Sequence, residues 1–230
     1  MLIGVFSDAH GHIGGFDLAL SVLEEAGASS FYFLGDAIGY IPGTAVVKRL
    51  MSGGHVNAIM GNHEAMMLAG EPLEQKRAAV YQLESVLSEL KPDELVFLRS
   101  LPTKRRLTHS GLRMLFVHGS PTDPTYGYVY PDTDLRPFSD IEADVVFMGN
   151  THHPFVRTEN GRLFVNVGSC GLPRDEDPRG CACLFDTVQH EARMIRYSIS
   201  AESRSLLADG GIAEAVAQYL RRYASVVDDI

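Results

Sequence analysis

Five short apolar runs in this sequence each stop at a polar side chain, and this repeated pattern restricts the folds open to the chain. The runs cover residues 2–7, 31–34, 56–60, 112–117 and 145–148. Each run has the length and composition of a buried strand. Helical patterns at 16–26 and 44–51 separate the first three runs. This strand–helix–strand order predicts an α/β core with parallel pairing.

The second half of the chain has the pattern of antiparallel strands. Ser110-Gly111 separates two strand-like segments, residues 159–162 separate two more, and 181–185 with 192–199 make a third pair. The change from parallel to antiparallel pairing favours two packed sheets with outer helices over one doubly wound sheet. We therefore predict an α/β fold of two mixed sheets flanked by helices.

Apolar periodicity predicts further helices at 73–90, 93–101 and 212–224. The last of these carries one apolar stripe, which predicts that the helix docks on the core. The stripe consists of Val216, Tyr219, Leu220 and Tyr223. Because no domain boundary is evident, we expect a single domain over residues 1–230, with a C-terminal helical segment at about 201–224 packed on it.

Composition argues against several classes of protein. The chain has 230 residues and a formal net charge of -9, which does not suit binding to long DNA or RNA. No stretch approaches the ~20 apolar residues that span a bilayer. The N-terminus has the pattern of a strand rather than a secretory signal, so we expect a cytoplasmic protein without a membrane partner. We expect Cys170, Cys181 and Cys183 to be small buried residues.

Side chains that can bind metal stand where the predicted strands end. They are Asp8, His10, Asp36, Asn62, His63, His118, Asn150 and His152. In α/β sheets, ligands bind outside the carboxyl ends of the strands, and glycines beside several of these residues let backbone segments approach closely. Each piece alone is common by chance. Five strand ends that all supply nitrogen or oxygen ligands predict a metal site.

The size of this ligand set predicts two divalent ions, because it exceeds what one tetrahedral ion needs. The lack of thiolates favours Mn, Fe, Zn, Ni or Mg over a soft metal, and we expect manganese first among them. Two such ions outweigh the carboxylates of Asp8 and Asp36, so an anionic protein can still bind a small phosphorylated substrate. The ions would lower the pKa of a bridging water, and the resulting hydroxide would attack phosphorus.

The order of these motifs resembles the calcineurin-like metallophosphoesterase family, in particular its small single-domain prokaryotic, phosphodiesterase-like branch. The matching motifs are Asp8-x-His10, Gly35-Asp36, Gly61-Asn62-His63, His118 and Gly149-x-x-His152. Residues 35–40 and 166–175 are similar to that branch as well, so the likeness covers residues 1 to about 200. The resemblance implies a four-layer α/β/β/α sandwich that hydrolyses phosphate esters.

The resemblance also implies a role for each site residue. One metal ion would be held by Asp8, His10, Asp36 and His152. A second ion would be held by Asp36, Asn62, His118 and the residue at the position of Asn150, with Asp36 bridging the two. His63 would be the general acid that protonates the leaving oxygen, and Asn62 would also lie near the phosphate.

The chain departs from the family pattern at two motifs. Asn150 replaces a usual histidine, and its neutral amide predicts a weaker second metal site. His153 is expected beside the site rather than as a replacement ligand. Gly39-Tyr40 stands where protein Ser/Thr phosphatases continue with Asp-Arg, which argues against a phosphoprotein substrate. The partner that orients His63 is then unassigned, and Glu64 is a candidate.

Three residues are candidates for substrate binding. Arg174 could contact phosphate, His12 either touches substrate or is exposed, and Tyr128 could stack on a base. Tyr126, Tyr128 and Tyr130 repeat with period two, which equally suits an apolar lid or a contact in a homo-oligomer.

We predict that the substrate is a small phosphodiester. Phosphomonoesters and dinucleoside polyphosphates are the alternative substrates. The alternative of another class is a metal-degenerate scaffold that binds proteins, as a retromer subunit with this fold does. His63 and the complete first ligand set favour the enzyme.

Overall fold

Strands and helices alternate along the first third of the chain, and strands dominate later. The structure is a computed structural model that describes residues 1–70 and 72–226, so residues 227–230 of the predicted domain lie outside the described residues. The strands are β1 (Leu2–Phe6), β2 (Ser30–Phe33), β3 (Val56–Ala58), β4 (Lys104–His109), β5 (Leu112–Val117), β6 (Val145–Met148), β7 (Phe155–Glu159), β8 (Arg162–Asn166), β9 (Gly180–Asp186) and β10 (Glu191–Tyr197). The helices are α1 (Ile13–Glu25), α2 (Ala45–Gly53), α3 (Asn62–Ala69), α4 (Gln75–Tyr81), α5 (Leu83–Glu89), α6 (Pro92–Ser100), α7 (Ser200–Asp209) and α8 (Glu214–Ala224).

These strands form two mixed sheets of five strands each. The first has the order β10-β9-β1-β2-β3, and the second has the order β4-β5-β6-β8-β7. β1, β2 and β3 are parallel, and so are β5, β6 and β8, while the remaining strands pair antiparallel. The prediction of an α/β fold with two mixed sheets and flanking helices is therefore confirmed. Within each sheet, the parallel strands end at one common edge.

The two sheets pack face to face through side chains that alternate along the strands. In β1, Ile3 and Val5 lie in the core between the sheets, whereas Phe6 packs on Phe16 of α1 with ring centroids 5.1 Å apart. Between the sheets, Tyr32 stacks on Phe116 at 4.2 Å. This packing brings strand ends from both sheets within hydrogen-bonding distance of each other.

The outer faces of the two sheets are covered differently. A large apolar cluster joins the first sheet to residues of α1, α2, α5, α6 and α8. Over the second sheet, Val129, Leu135 and Phe138 pack on β5, β6 and β8, and this covering segment contains the 3-10 turn Arg136–Phe138. The helical packing is thus concentrated on the first sheet.

The helices of the middle segment differ from the sequence-based expectation. The predicted helix 73–90 is interrupted at Gln82, which has left-handed backbone with φ of 54°. The backbone N–H of Tyr40 donates to the Tyr81 carbonyl at this break, 3.0 Å away. Helix α3 was not predicted, because it begins directly at Asn62 and its N-cap, Gly61, has no capping side chain. Glu64 supplies the missing cap by accepting from the Gly61 N–H at 2.8 Å.

The C-terminal segment contains two helices where the sequence pattern indicated one. Val216, Leu220 and Tyr223 of α8 are buried in the cluster that also covers the first sheet, whereas Tyr219 is 41% exposed. Within the described residues, no helix combines the length and the apolar character that crossing a bilayer needs.

Candidate metal centre

Five of the predicted metal ligands have left-handed backbone, which is uncommon outside glycine. The φ angles of Asp8, His10, Asp36, Asn150 and His152 are 59°, 49°, 58°, 64° and 61°. All five residues are buried. Strained conformations of this kind are typical of functional sites, where the surrounding structure holds them in place. Here the turns direct side chains from β1, β2 and β6 into one cluster.

Backbone hydrogen bonds hold the first two of these turns together. The N–H of Asp8 donates to Gly35 at 3.0 Å, and the N–H of His10 donates to Asp36 at 2.9 Å. Two glycines make room for the carboxylates, because a Cβ atom at Gly61 would collide with Asp36 and one at Gly149 would collide with Ser7 and Asp8. The glycines seen at these strand ends are therefore required by close approach.

Glu64 binds backbone N–H groups, whereas the sequence made it a candidate for orienting His63. Its buried carboxylate accepts backbone N–H bonds from Gly61, Asp36 and Ala37 at 2.8, 2.9 and 2.7 Å, and from Ile38 at 3.2 Å. It therefore fixes the turn of Asp36 to the start of α3, and its contacts are with backbone rather than with the His63 ring. Burial and the neighbouring Asp36 raise the pKa of Glu64 to about 7.

The first ligand group contains Asp8, His10 and His152. The Nε2 atoms of the two histidines lie 3.0 Å apart, and His152 Nε2 is 3.3 Å from Asp8 Oδ1. Each histidine donates its Nδ1–H to a carbonyl, His10 to Ile38 at 3.1 Å and His152 to Leu172. These bonds fix the tautomer, so the Nε2 lone pairs face each other and the carboxylate.

The second ligand group contains Asp36, His118 and Asn62. His118 Nε2 lies 3.4 Å from Asp36 Oδ2 and 2.8 Å from Asn62 Oδ1, and its Nδ1 donates to Leu34 at 2.9 Å. Burial lowers the pKa of His118, but the charges of Asp36 and Asp8 outweigh burial and raise the pKa to about 9. Without metal, His118 and Asp36 thus form a buried ion pair.

Asn150 lies next to Asp8 of the first group. Its backbone N–H donates to Asp8 Oδ2 at 3.0 Å, and its side-chain Nδ2 donates to the Gly127 carbonyl at 2.8 Å. Because the side-chain nitrogen of Asn150 is bonded to Gly127, its side-chain oxygen is the atom available as a metal ligand. The neighbouring His153 has its Nδ1 bonded to the Thr151 carbonyl at 2.7 Å and lies against Tyr130.

The donor set fits divalent metal ions. Three overlapping groups have ligand atoms within 4.8 Å of one another: Asp8, His10 and His152; His10, Asp36 and His63; and Asp8, Asp36 and His118. Asp8 Oδ1 is buried without a hydrogen-bond partner, although an ionised carboxylate requires one. The facing lone pairs of His10 and His152 repel each other unless a proton or a cation lies between them. A metal ion bound there would satisfy both requirements.

His63 lies at the edge of this cluster. Its backbone N–H donates to Asp36 Oδ1 at 2.9 Å, and its Nε2 is 4.0 Å from Asp36 Oδ2. The ring packs against Tyr81 and Tyr40 at centroid distances of 4.5 and 4.9 Å, and its Nδ1 has no hydrogen-bond partner. Burial lowers the pKa of His63 to about 4 in the metal-free protein.

The three candidates for substrate binding lie in different surroundings. His12 is neither exposed nor open to substrate, because its Nδ1 accepts from the Gly15 N–H at 3.0 Å to cap α1 and its Nε2 lies 3.3 Å from Ser203 Oγ. Tyr128 is 55% exposed and stacks on Tyr130. Arg174 is partly buried, and its Nη2 donates to the Tyr40 hydroxyl at 2.8 Å.

Several supporting residues were not assigned a role from sequence. Asn166 Nδ2 donates to the Gly149 carbonyl at 2.8 Å, and Ser169 Oγ donates to the Asp8 carbonyl at 2.6 Å. Both belong to residues 166–175, whose resemblance to the family was the only sequence feature that pointed to a role for them. Tyr81 had no such signal, because it lay inside the predicted helix 73–90.

Two packed mixed sheets, with buried carboxylates and imidazoles at the ends of their parallel strands, define a metal-dependent hydrolase. The profile of the calcineurin-like phosphoesterase superfamily domain matches residues 1–190. The chain therefore belongs to the calcineurin-like phosphoesterase superfamily and is a phosphoesterase hydrolase.

Two archaeal proteins are similar to this chain in sequence. An uncharacterized protein of Methanocaldococcus jannaschii is 28% identical over 213 residues, which cover 85% of this chain and 86% of the relative. A probable metallophosphoesterase of Methanothermobacter thermautotrophicus is 33% identical over 99 residues, which cover 41% of this chain and 53% of the relative.

The fold agrees with solved structures as well. A metallophosphoesterase from Sphaerobacter thermophilus has a TM-score of 0.78 at 23% identity, with 96% of this chain and 98% of that chain covered. A hypothetical protein from Pyrococcus horikoshii has a TM-score of 0.79 at 20% identity, with 95% and 97% covered. At these identities the likeness is one of fold.

Proposed function

We propose that the protein hydrolyses a small phosphodiester at a site for two divalent ions, with manganese as the preferred metal. The observation that carries this proposal is the position of Asp36 between the two ligand groups. Its Oδ2 lies 3.5 Å from His10 Nε2 and 3.4 Å from His118 Nε2, so one carboxylate oxygen faces both groups. A shared carboxylate is the usual device for holding two ions in one site.

In this proposal the ligand side chains are divided between the two ions. Asp8, His10 and His152 hold the first ion, Asp36 is shared, and Asn62, His118 and the side-chain oxygen of Asn150 hold the second. The bound ions would supply a water of lowered pKa and positive charge for the phosphoryl oxygens. Asn62 also donates toward the phosphate through its amide nitrogen, because its Oδ1 faces His118.

His63 is the proposed general acid. Its Nε2 lies 4.0 Å from Asp36 Oδ2, so this nitrogen faces the ligand groups and a leaving oxygen bound there, whereas Nδ1 is buried against Gly39. Burial favours the neutral ring, but a phosphate anion beside it favours the imidazolium, as does the charge of Asp36. Proton donation matters most when the leaving group is a poor one, such as the alkoxide released from a phosphodiester.

Proteins of the same fold include both a phosphodiesterase and a candidate nucleotide hydrolase. A novel archaeal phosphodiesterase has a TM-score of 0.53 at 16% identity, and a putative diadenosine tetraphosphatase has a TM-score of 0.55 at 15% identity. Such identities show the fold alone, and His63 supports an ester with a poor leaving group, of which we propose the diester. Phosphomonoesters and dinucleoside polyphosphates are the competing substrates in the test below.

The test compares two diesters that differ only in their leaving group, one a p-nitrophenolate and the other an alkoxide. We expect His63→Ala to lower kcat/KM by about a hundredfold or more on the alkyl diester and by much less on the activated one. Metal analysis should find about two ions per chain in both proteins, with hydrolysis stimulated by manganese. Equal losses on both diesters would contradict the acid role, and faster turnover of monoesters or dinucleoside polyphosphates would contradict the diester.

A further inference from the structure

We propose that Arg174, oriented by Tyr40, binds an anionic phosphoryl oxygen of the substrate. This inference rests on the proposed function, since it names a specificity-determining residue for the same site. The feature that points to it is a partly buried guanidinium that forms no ion pair with a carboxylate among the described residues. Burying an unpaired charge costs free energy, so a guanidinium in this position indicates that an anion binds beside it.

The ion pairs of the surrounding loop show how unusual Arg174 is. Arg179 pairs with Asp177 at 2.8 Å, and Arg196 pairs with Asp175. Among the described residues, Arg174 has no carboxylate within 4.0 Å, although Asp175 is its neighbour in sequence. Its Nη2 donates to the Tyr40 hydroxyl at 2.8 Å, and the guanidinium carbon lies 5.4 Å from the centre of the Tyr40 ring.

Arg174 lies beside the metal centre. Its backbone N–H donates to the His152 carbonyl at 3.3 Å, so the arginine is attached directly to a proposed ligand of the first ion. Tyr40, which binds Arg174, also contacts the site, because its ring lies 4.6 Å from the His10 ring and 4.9 Å from the His63 ring. The guanidinium therefore lies at the edge of the space between the first ion and the proposed general acid.

The C-terminal helix holds this arginine in place. The hydroxyl of Tyr223 in α8 donates to the Pro173 carbonyl at 2.6 Å, and Arg222 Nη2 donates to the Asp175 carbonyl at 2.7 Å. Both residues adjoining Arg174 are thus fixed by α8. Because a guanidinium offers planar paired donors, a fixed position gives it directional contact with phosphate oxygens that a mobile lysine lacks.

The test measures binding of inorganic phosphate to the full-length, manganese-loaded protein by calorimetry, together with kcat and KM for a diester. We expect Arg174→Ala to weaken phosphate binding by about tenfold to a hundredfold, because charge-assisted hydrogen bonds are lost. Arg174→Lys should recover part of this loss. Tyr40→Phe, which keeps the ring but removes the hydroxyl, should weaken binding by about fivefold and raise KM more than it lowers kcat.

Two controls separate this role from general damage. Arg179→Ala removes a neighbouring arginine that pairs with Asp177, and it should leave phosphate affinity unchanged. In an Arg174→Ala background, Tyr40→Phe should have no further effect on phosphate affinity, because its proposed role acts through Arg174. An undiminished Tyr40→Phe effect in that background would contradict orientation of Arg174 by Tyr40. The melting temperature and metal content of every variant are measured alongside.

The outcomes distinguish this inference from the proposed function. If folded, metal-loaded Arg174→Ala binds phosphate as tightly as the wild type, or if the wild type binds none, the inference is wrong. If Arg174→Ala does not fold, unchanged phosphate affinity in both Arg174→Lys and Tyr40→Phe overturns it. If the wild type cleaves no phosphate ester but Arg174→Ala still loses phosphate affinity, the proposed function fails and the anion site stands.

Discussion

The two ligand groups of the metal centre lie side by side but are built differently. In the first group, His10 and His152 are each locked by a backbone carbonyl and face the carboxylate of Asp8. In the second group, Asn62 is a neutral amide that faces His118, and Asn150, proposed above as a further ligand there, has its side-chain nitrogen bonded to the Gly127 carbonyl of a surface segment. Equivalent strand ends therefore carry two ligand groups that differ in charge and in how firmly their side chains are held.

The carboxylate between the groups provides the strongest test of this comparison. Asp36→Asn should remove the charge that both groups share, so both ions should bind more weakly. Because even residues that only support a ligand contribute about tenfold to a hundredfold to metal affinity, we expect a loss of more than about a hundredfold in manganese affinity and in kcat/KM. Retention of one tightly bound ion in the variant would show that Asp36 belongs to one group only.

A substitution at Asn150 should make the two proposed metal sites more similar in affinity. Asn150→His introduces an imidazole at a left-handed position that histidine tolerates better than most residues. We expect the weaker manganese site to gain about tenfold in affinity, because imidazole is a stronger ligand than a neutral amide, while the first site stays unchanged. Titration calorimetry of the metal-free protein measures both sites, with Asn150→Ala as the matched control. A gain at the tighter site alone would mean that Asn150 belongs to the first group.

The smallest expected effect concerns the rigidity of the first group. Ser169→Ala removes the hydroxyl that donates to the Asp8 carbonyl at 2.6 Å and accepts from the Leu172 N–H at 2.7 Å. We expect a loss of about 1–2 kcal/mol in the free energy of unfolding and only a several-fold weaker first ion. Thermal unfolding with and without manganese measures both quantities. Equal weakening of both ions would show that Ser169 supports the whole centre.

Much of the fold was predictable because its signals are local. Apolar runs that stop at Asp8, Asp36 and Asn62 identify parallel strand ends, and the hairpins have short polar turns. The interruption of the helix 73–90 was not predictable, since Gln82 is an ordinary helix-forming residue. Its left-handed backbone follows from tertiary contacts, including the hydrogen bond between Tyr40 and Tyr81.

The proximity of the site residues was easier to predict than the contacts that hold them in place. Strand ends that share an edge of a sheet must come together, which groups Asp8, His10 and Asp36 in the first sheet and His118 and His152 in the second. The packing of the two sheets then brings these two sets to one place. Supporting contacts depend on side-chain direction, which sequence spacing does not give. Glu64 therefore bonds to backbone N–H groups instead of to the His63 ring, and His12 caps a helix instead of facing solvent or substrate.

The close contact between His10 and His152 joins positions that are 142 residues apart along the chain. A loop of that length closes only after most of the chain has been ordered, since a contact of such sequence separation carries a high entropic cost early in folding. Metal uptake should therefore follow folding in time, and a partly folded chain should offer isolated side chains instead of a chelating pocket. The rate of metal capture during refolding then reports on completion of the native topology.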